Sequence, residues 1–291
     1  MRRLVLIAAL GAGAAAAAPL AADSPSATDA GLRREQTAQD PFRWRGRIPA
    51  GRSIEVKGVR GTIRALPATG NEVEVTAVRR GGRSNPGTVR IEVVPHEDGV
   101  TVCAVYPRGR RDSRWGGSEE PGRGREGEYN RCGSGEWRNL NVQDNDVAVD
   151  FTVRVPAGVR LVARNVSGDV EAEGLRSNVE ARSVSGDIRL STSGYGEAST
   201  VSGEIFAALG SAAWQDELDF STVSGDITLE LPARTSAEVR VETLSGEIDS
   251  DFPLEVERRN VRRRARGTLG SGGRELYLTT LSGDVRLVRS R

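Results

Sequence analysis

Six carboxylates recur directly behind a Ser-Gly pair: Asp169, Asp187, Glu204, Asp226, Glu247 and Asp284. Lined up along one edge they would form a carboxylate ladder, chemistry suited to calcium or a cationic polymer. Each copy of the motif offers one acid, however, while calcium takes about six to eight oxygens. Carboxylates ~4.8 Å apart repel by only about 1 kcal/mol in water, so no metal is needed to account for them. The expected role is turn chemistry, in which a short polar side chain accepts a neighbouring backbone amide. Paired carboxylates also hydrolyse glycosides. Every acid that stands out here belongs to the repeat, though, so the expectation is a non-enzymatic protein with no catalytic residue, cofactor or metal ligand assigned.

The other reactive side chains are few. Lys57 is the only lysine and His96 the only histidine. That excludes His-cluster metal sites and leaves one histidine to carry any Ser-His-Asp triad. His96, in Val94-Pro-His-Glu-Asp-Gly99, reads as a hairpin-loop residue. Arginines cluster at Arg79-Arg80-Gly-Gly-Arg83, from Arg108 to Arg114, and at Arg258-Arg259 with Arg262 to Arg266. Such clusters can grip polyanions. Here acids stand within or beside two of them (Asp112, Glu255 and Glu257), and the chain carries 41 basic against 40 acidic residues, a net charge of +1. Ordinary solvated faces are expected, and no nucleic acid is expected as a partner.

Met1-Arg2-Arg3, an apolar run from Leu4 to Ala18 and the small-residue exit Pro19-Leu20-Ala21-Ala22 have the parts of a secretory signal peptide, expected over 1–22. An uncleaved anchor is the alternative. No later segment is long and apolar enough to span a bilayer. The expected location is outside the cytoplasm: periplasm, cell surface or medium. Cys103 and Cys132 are 29 positions apart and suit an oxidising compartment as one disulfide, against the alternative of two free thiols or a redox pair.

The elements that must position these residues follow from the repeat. Six near-copies of one pentapeptide, from Val166-Ser-Gly-Asp-Val170 to Leu281-Ser-Gly-Asp-Val285, centre on Gly168, Gly186, Gly203, Gly225, Gly246 and Gly283, at gaps of 18, 17, 22, 21 and 37. The last gap spans about two periods, with Arg266-Gly267-Thr268-Leu269 inside it as a degraded copy. An early copy centres on Gly61. Five and seven places before the glycine, and two and four after it, stand apolar residues: Phe220/Leu218 and Ile227/Leu229 around Gly225, for example. This is period-2 alternation on both sides of a turn, the mark of half-buried strands. The valine or leucine two before the glycine is out of phase and reads as a corner or bulge. Three before it stands a small polar residue (Asn165, Ser183, Thr200, Thr222, Thr243, Thr280), which would form an inward ladder bonding from layer to layer. One repeat cannot bury its own apolar stripe, so repeats must stack. The expected fold is all-β, a single-domain β-solenoid over 47–291, with a flexible tether at 23–46 and a Gly/Arg-rich insertion at 107–146. An antiparallel sandwich is the rival arrangement.

The Val-Ser-Gly-Asp-Ile copies, the entry Phe151-Thr-Val-Arg-Val-Pro-Ala-Gly158 and the closing Leu278-Thr-Thr-Leu-Ser-Gly-Asp-Val285 resemble the bacterial putative-adhesin family of β-strand-repeat domains, whose function is largely unknown. The resemblance covers about Ser53 to Arg289 outside the insertion. It implies a repetitive β fold in an envelope or secreted protein, with some relatives tied to envelope-stress signalling, and it brings no catalytic residues. The expected partner is an unknown envelope or extracellular ligand, glycan or protein. The alternatives are a carbohydrate-active enzyme on the same scaffold and a signalling or structural partner that self-associates.

Overall fold

The computed structural model describes residues 40–107, 130–135, 142, 144–211, 214 and 217–290. The expected signal peptide, tether residues 23–39 and the Arg108–Arg114 cluster lie outside them. The first half supplies β1 (Phe42–Gly46), β2 (Ser53–Lys57), β3 (Ile63–Pro67), β4 (Val73–Arg80), β5 (Arg90–His96), β6 (Gly99–Val105) and β7 (Ala148–Val155). The repeats supply β8 (Arg160–Arg164), β9 (Val170–Leu175), β10 (Val179–Arg182), β11 (Ile188–Thr192), β12 (Gly196–Ser199), β13 (Ile205–Leu209), β14 (Glu217–Ser224) and β15 (Ile227–Pro232). The last part holds β16 (Ala237–Ser245), β17 (Ile248–Ser250), β18 (Glu255–Arg259), β19 (Arg262–Leu269), β20 (Glu275–Ser282) and β21 (Val285–Ser290). No α-helix occurs among the described residues.

These strands form two large mixed sheets without barrel closure. The ten-stranded sheet runs β1-β4-β7-β3-β9-β11-β13-β15-β21-β17, and the eleven-stranded sheet runs β18-β19-β16-β20-β14-β12-β10-β8-β2-β6-β5. Each repeat gives one strand to the eleven-stranded sheet, turns at its Ser-Gly, and gives the next strand to the ten-stranded sheet. Like strands of neighbouring repeats pair in parallel, and the motif-aligned residues face one another. Ile188 opposes Val170 on one side and Ile205 on the other, Ile205 opposes Ile227, and Ile227 opposes Val285. On the other sheet Ala181 opposes Ala163 and Ala198, and Ala198 opposes Phe220. The inward columns meet between the sheets as one continuous core. Small residues on one sheet make room for larger ones on the other, as when Gly196 of β12 leaves space for Leu190 of β11, whose methyls lie 3.2 and 3.6 Å from where a Cβ would stand.

The layers do not stack in chain order. In space they run β6/β7, β2/β3, β8/β9, β10/β11, β12/β13, β14/β15, β20/β21, β16/β17. The first coil is tucked inside the second, and the last coil is inserted between the two before it. Antiparallel strands then close the ends: β4 and β1 beyond β7, β5 beyond β6, and β19 and β18 beyond β16. Such caps satisfy sheet edges that would otherwise stay open.

Two boundaries differ from expectation. Gly267 is not a corner. It lies within β19, where a Cβ would stand 2.6 Å from the Pro253 carbonyl, so this glycine serves a close chain approach rather than a turn. The end of the expected tether, Phe42–Gly46, is strand β1, because Phe42 and Trp44 alternate with Arg43 and Arg45 and pack on the core. The insertion at 107–146 replaces the Ser-Gly corner of one layer, since it joins β6 to β7.

Candidate functional site

The corners form one continuous edge. A Cβ on Gly168 would lie 2.2 Å from the Gly61 carbonyl oxygen. The same relation links Gly186 to Gly168, Gly203 to Gly186, Gly225 to Gly203, Gly283 to Gly225 and Gly246 to Gly283, all at 1.8–2.3 Å. Backbone φ is positive at five of these six, from +126° at Gly168 to +154° at Gly203, a region L side chains reach only at a cost. Glycine therefore answers two demands at once, an unusual turn and contact with the layer beneath.

The small polar residue three places earlier seals the carbonyl that this contact leaves. Thr200 Oγ1 donates to the Gly186 carbonyl at 3.2 Å, Thr222 to Gly203 at 3.2 Å, Thr280 to Gly225 at 3.1 Å and Thr243 to Gly283 at 3.0 Å. The ladder thus runs from side chain to backbone rather than from hydroxyl to hydroxyl. The acids stitch in the same direction. Asp169 Oδ1 accepts the amide of Asp187 at 3.0 Å, Asp187 that of Glu204 at 2.9 Å, Asp226 that of Asp284 and Asp284 that of Glu247, both at 2.8 Å. Asp150 does this for Thr62 in the first coil. Among the described residues no group of three or more His, Cys, Asp or Glu side chains is placed to hold a metal ion.

Two before Gly186, Gly203, Gly225 and Gly283 the side chain takes the last outward position of its strand, so the change of face falls at Ser-Gly with no bulge there. Val59, two before Gly61, is instead buried, and Val166, two before Gly168, packs against the core. The consequence is an exposed apolar column beside the acids. Val184 is 49% exposed, Val201 46%, Val223 46% and Leu281 50%. Val223, Leu281 and Leu244 line a shallow groove of about 350 Å³ with Ser221 and Thr279.

A second assembly lies on the outer face of the eleven-stranded sheet, and alternation gives no sign of it. Lys57 is 2% exposed. It stands opposite Cys103 on the neighbouring strand, and Cys103 is bonded to Cys132. The disulfide sets residues 130–135 over the lysine, whose Nζ donates to the carbonyls of Gly133, at 2.5 Å, and Gly135. Glu55 receives Arg164 Nε at 2.9 Å, Thr101 Oγ1 at 2.8 Å and the Gly135 amide at 3.3 Å. Arg164 continues to Glu180 at 2.9 Å, which also takes Arg160 at 2.5 Å. His96 ends β5 and meets Thr101 at 3.1 Å. Buried charges survive only in such paired, hydrogen-bonded sets. At the margin of this ladder burial, and then the Glu180 carboxylate, push the Glu197 carboxyl above its usual range. The only sequence signal for this cluster was the cysteine pair.

Each described arginine cluster is paired with acids in part, while Arg79 Nε is buried without a hydrogen-bond partner among the described residues. Arg263 reaches Glu247 at 2.6 Å, Arg264 reaches Glu242 at 3.0 Å, and Arg80 pairs with Asp150. Asp146 accepts the amides of Arg83 and Ser84, both at 2.8 Å, which holds its carboxyl well below the usual range.

The model of the family described as Toastrack DUF4097 matches residues 134–288, more than half of the chain. This chain belongs to that family. The Toastrack match takes in all six corners from Gly168 to Gly283 but begins after Cys132, so β1 to β6 precede it. Solved structures similar to the chain include a putative cell adhesion protein from Clostridium sporogenes, with a TM-score of 0.44 and 10% identity over 86% of this chain and all of that one. A putative adhesin from Bacteroides fragilis gives 0.27 and 11% over 86% and 98%. A putative adhesin from Parabacteroides merdae gives 0.23 and 12% over 85% and 96%. No curated protein matches the chain. No helix among the described residues is long and apolar enough to cross a membrane.

Proposed function

We propose that this Toastrack chain is an exported, non-enzymatic, adhesin-like binding module, built as a β-solenoid and acting in the periplasm, on the cell surface or in the medium. The observation that carries the reading is the column of Val184, Val201, Val223 and Leu281, each about half exposed and one per layer. Single apolar residues on a surface need no explanation, but an aligned strip of them is the usual mark of an interaction site. Nothing in the stacking requires it, because those side chains point away from the core. The disulfide supports an oxidising compartment.

The test is retention of the purified chain on immobilised envelope fractions and a glycan panel, beside the variant Val201→Ser, Val223→Ser, Leu281→Ser. Retention of the parent and at least ten-fold less of the variant, at equal melting temperature, is the expected result. Absence of retention on every surface, or equal retention of the two proteins, removes the reading. The same strip would also suit a second copy of the chain. Light scattering at rising concentration decides that point, since a constant monomer mass excludes self-association.

A further inference from the structure

The ten-stranded sheet breaks its own pattern in one layer. Three places after each corner glycine the side chain points outward. Along successive layers these positions hold Glu171, Arg189, Phe206, Thr228, Arg286 and Asp249. All are polar except Phe206, which is 39% exposed. The corner acid of the same layer departs too. Asp169, Asp187, Asp226 and Asp284 each accept the amide of the next layer, but Glu204, one methylene longer, does not accept that of Asp226. Among the described residues its carboxylate has no hydrogen-bond or ion-pair partner. Both departures open into one groove of about 240 Å³, bounded by Arg189 on one side of the ring and by Thr228 and Arg286 on the other. Arg189 and Arg286 lie only loosely against their own acids, 3.7 Å from Asp187 and 3.8 Å from Asp284, and both side chains are 55% exposed.

We infer that this groove is a sugar subsite, with Phe206 as the platform and Glu204, Arg189 and Arg286 as the polar readers. A pyranose has one face of C–H groups and a rim of hydroxyls. The C–H groups, slightly positive, suit the negative face of an aromatic ring. The hydroxyls both donate and accept, so they need a carboxylate and guanidinium N–H groups around the same ring, and charged partners make the stronger hydrogen bonds. A purely cationic ligand would suit Phe206 and Glu204 but would face both arginines. An anionic one would face Asp187, Glu204 and Asp226. A neutral sugar unit of an envelope or extracellular polysaccharide matches the whole set. The groove has room for about one such unit, so single-sugar affinity should be in the ~mM range and a polymer should bind through several contacts. The inference rests on the reading of the chain as a binding module and names its ligand class.

The test is a titration of the full chain, with labelled phenylalanine rings, by a panel of neutral methyl pyranosides and their short oligomers, read by NMR. Phe206→Ala assigns the ring signal. The expected result is a saturable shift of the Phe206 ring by at least one sugar, with affinity falling about ten-fold in Phe206→Ala and several-fold in Glu204→Gln at unchanged melting temperature. Failure of every pyranoside to move that signal, or equal binding by the parent and Phe206→Ala, overturns the inference. Retention on envelope fractions, measured on the same two proteins, separates the failures. Retention that survives Phe206→Ala, with no sugar shift, leaves the binding module standing without this subsite. Loss of retention on all surfaces, with no sugar shift, removes both.

Discussion

Thr222 and Val223 are adjacent, similar in volume and opposite in fate: the threonine is sealed against the Gly203 carbonyl and the valine lies half in water. Exchanging their chemistry separates packing from pattern. Thr222→Val keeps the shape but strands a buried carbonyl, and should cost ~1–3 kcal/mol in urea unfolding. Val223→Thr should stay within about 0.5 kcal/mol. Gly203→Ala should cost more than either backbone-neutral change, ~2–3 kcal/mol or greater. It forces a Cβ to 2.1 Å from the Gly186 carbonyl oxygen at a φ of +154°. The Glu197 carboxyl adds a pH-dependent case. Its raised pKa means the native state resists its ionisation, so the cost is present above the folded pKa and vanishes below the unfolded value near 4.5. Glu197→Gln should therefore raise the urea midpoint at neutral pH, and that gain should disappear as the pH falls below 4.5. A gain unchanged by acid would assign the effect to something other than this ionisation.

At the scale of elements, the corner columns and the segment over Lys57 show what a linear sequence can and cannot carry. The alignment on glycine already contains the register, because a period of two fixes which residues face inward and an in-register stack places equivalent residues opposite one another. The exposed valine column was visible as a break in phase, yet its direction depends on where the chain turns, and only the structure places that turn at Ser-Gly. Lys57 could not be read at all. Ile54-Glu55-Val56-Lys57 alternates as a strand with a wet face, and the face is dry only because residues 130–135, far along the chain, are fastened over it. The sole lysine makes this arrangement easy to measure. In the oxidised protein an amine-acylating reagent should leave Lys57 unmodified, apart from the chain's α-amino group, by peptide mass mapping. Reducing the disulfide, or replacing both cysteines with serine, releases a 29-residue closure. That should lower stability by ~3–4 kcal/mol on the chain-entropy model. It should also speed Lys57 acylation at least ten-fold. Equal labelling in both states would mean that hydrogen bonds alone hold the segment.

For the whole molecule the informative feature is the order of the layers. Identical corners stack equally well in any sequence, so nothing in the repeat itself states that β20/β21 slides between β14/β15 and β16/β17. Gly267, read as a corner, gave the sequence a false eighth copy where the chain instead forms the β18–β19 cap. The arrangement has a mechanical consequence. In a stack that follows chain order the last coil is a terminal layer, and removing it costs roughly one nearest-neighbour interface. Here the last coil has an interface on each of its faces. Leu276 and Leu278 pair with β14 on one side and β16 on the other, and Val285 pairs with both Ile227 and Ile248. Ending the chain after Gly273 therefore removes two interfaces and detaches β16 through β19 from everything before them. It also strips the Thr280 hydroxyl from the Gly225 carbonyl and the β20 carbonyl partner from buried Trp214, whose indole donates to Glu275 at 3.2 Å. The truncated chain should lose about a quarter of its protease-resistant core, with residues 235–273 cut rapidly while the layers around Gly168 to Gly203 persist. Trp214 fluorescence should shift to the red. A truncated protein whose residues 237–269 stay protected would show that β16 can dock directly on β14, and the inserted layer would then be a spacer rather than the element that joins the two parts of the stack.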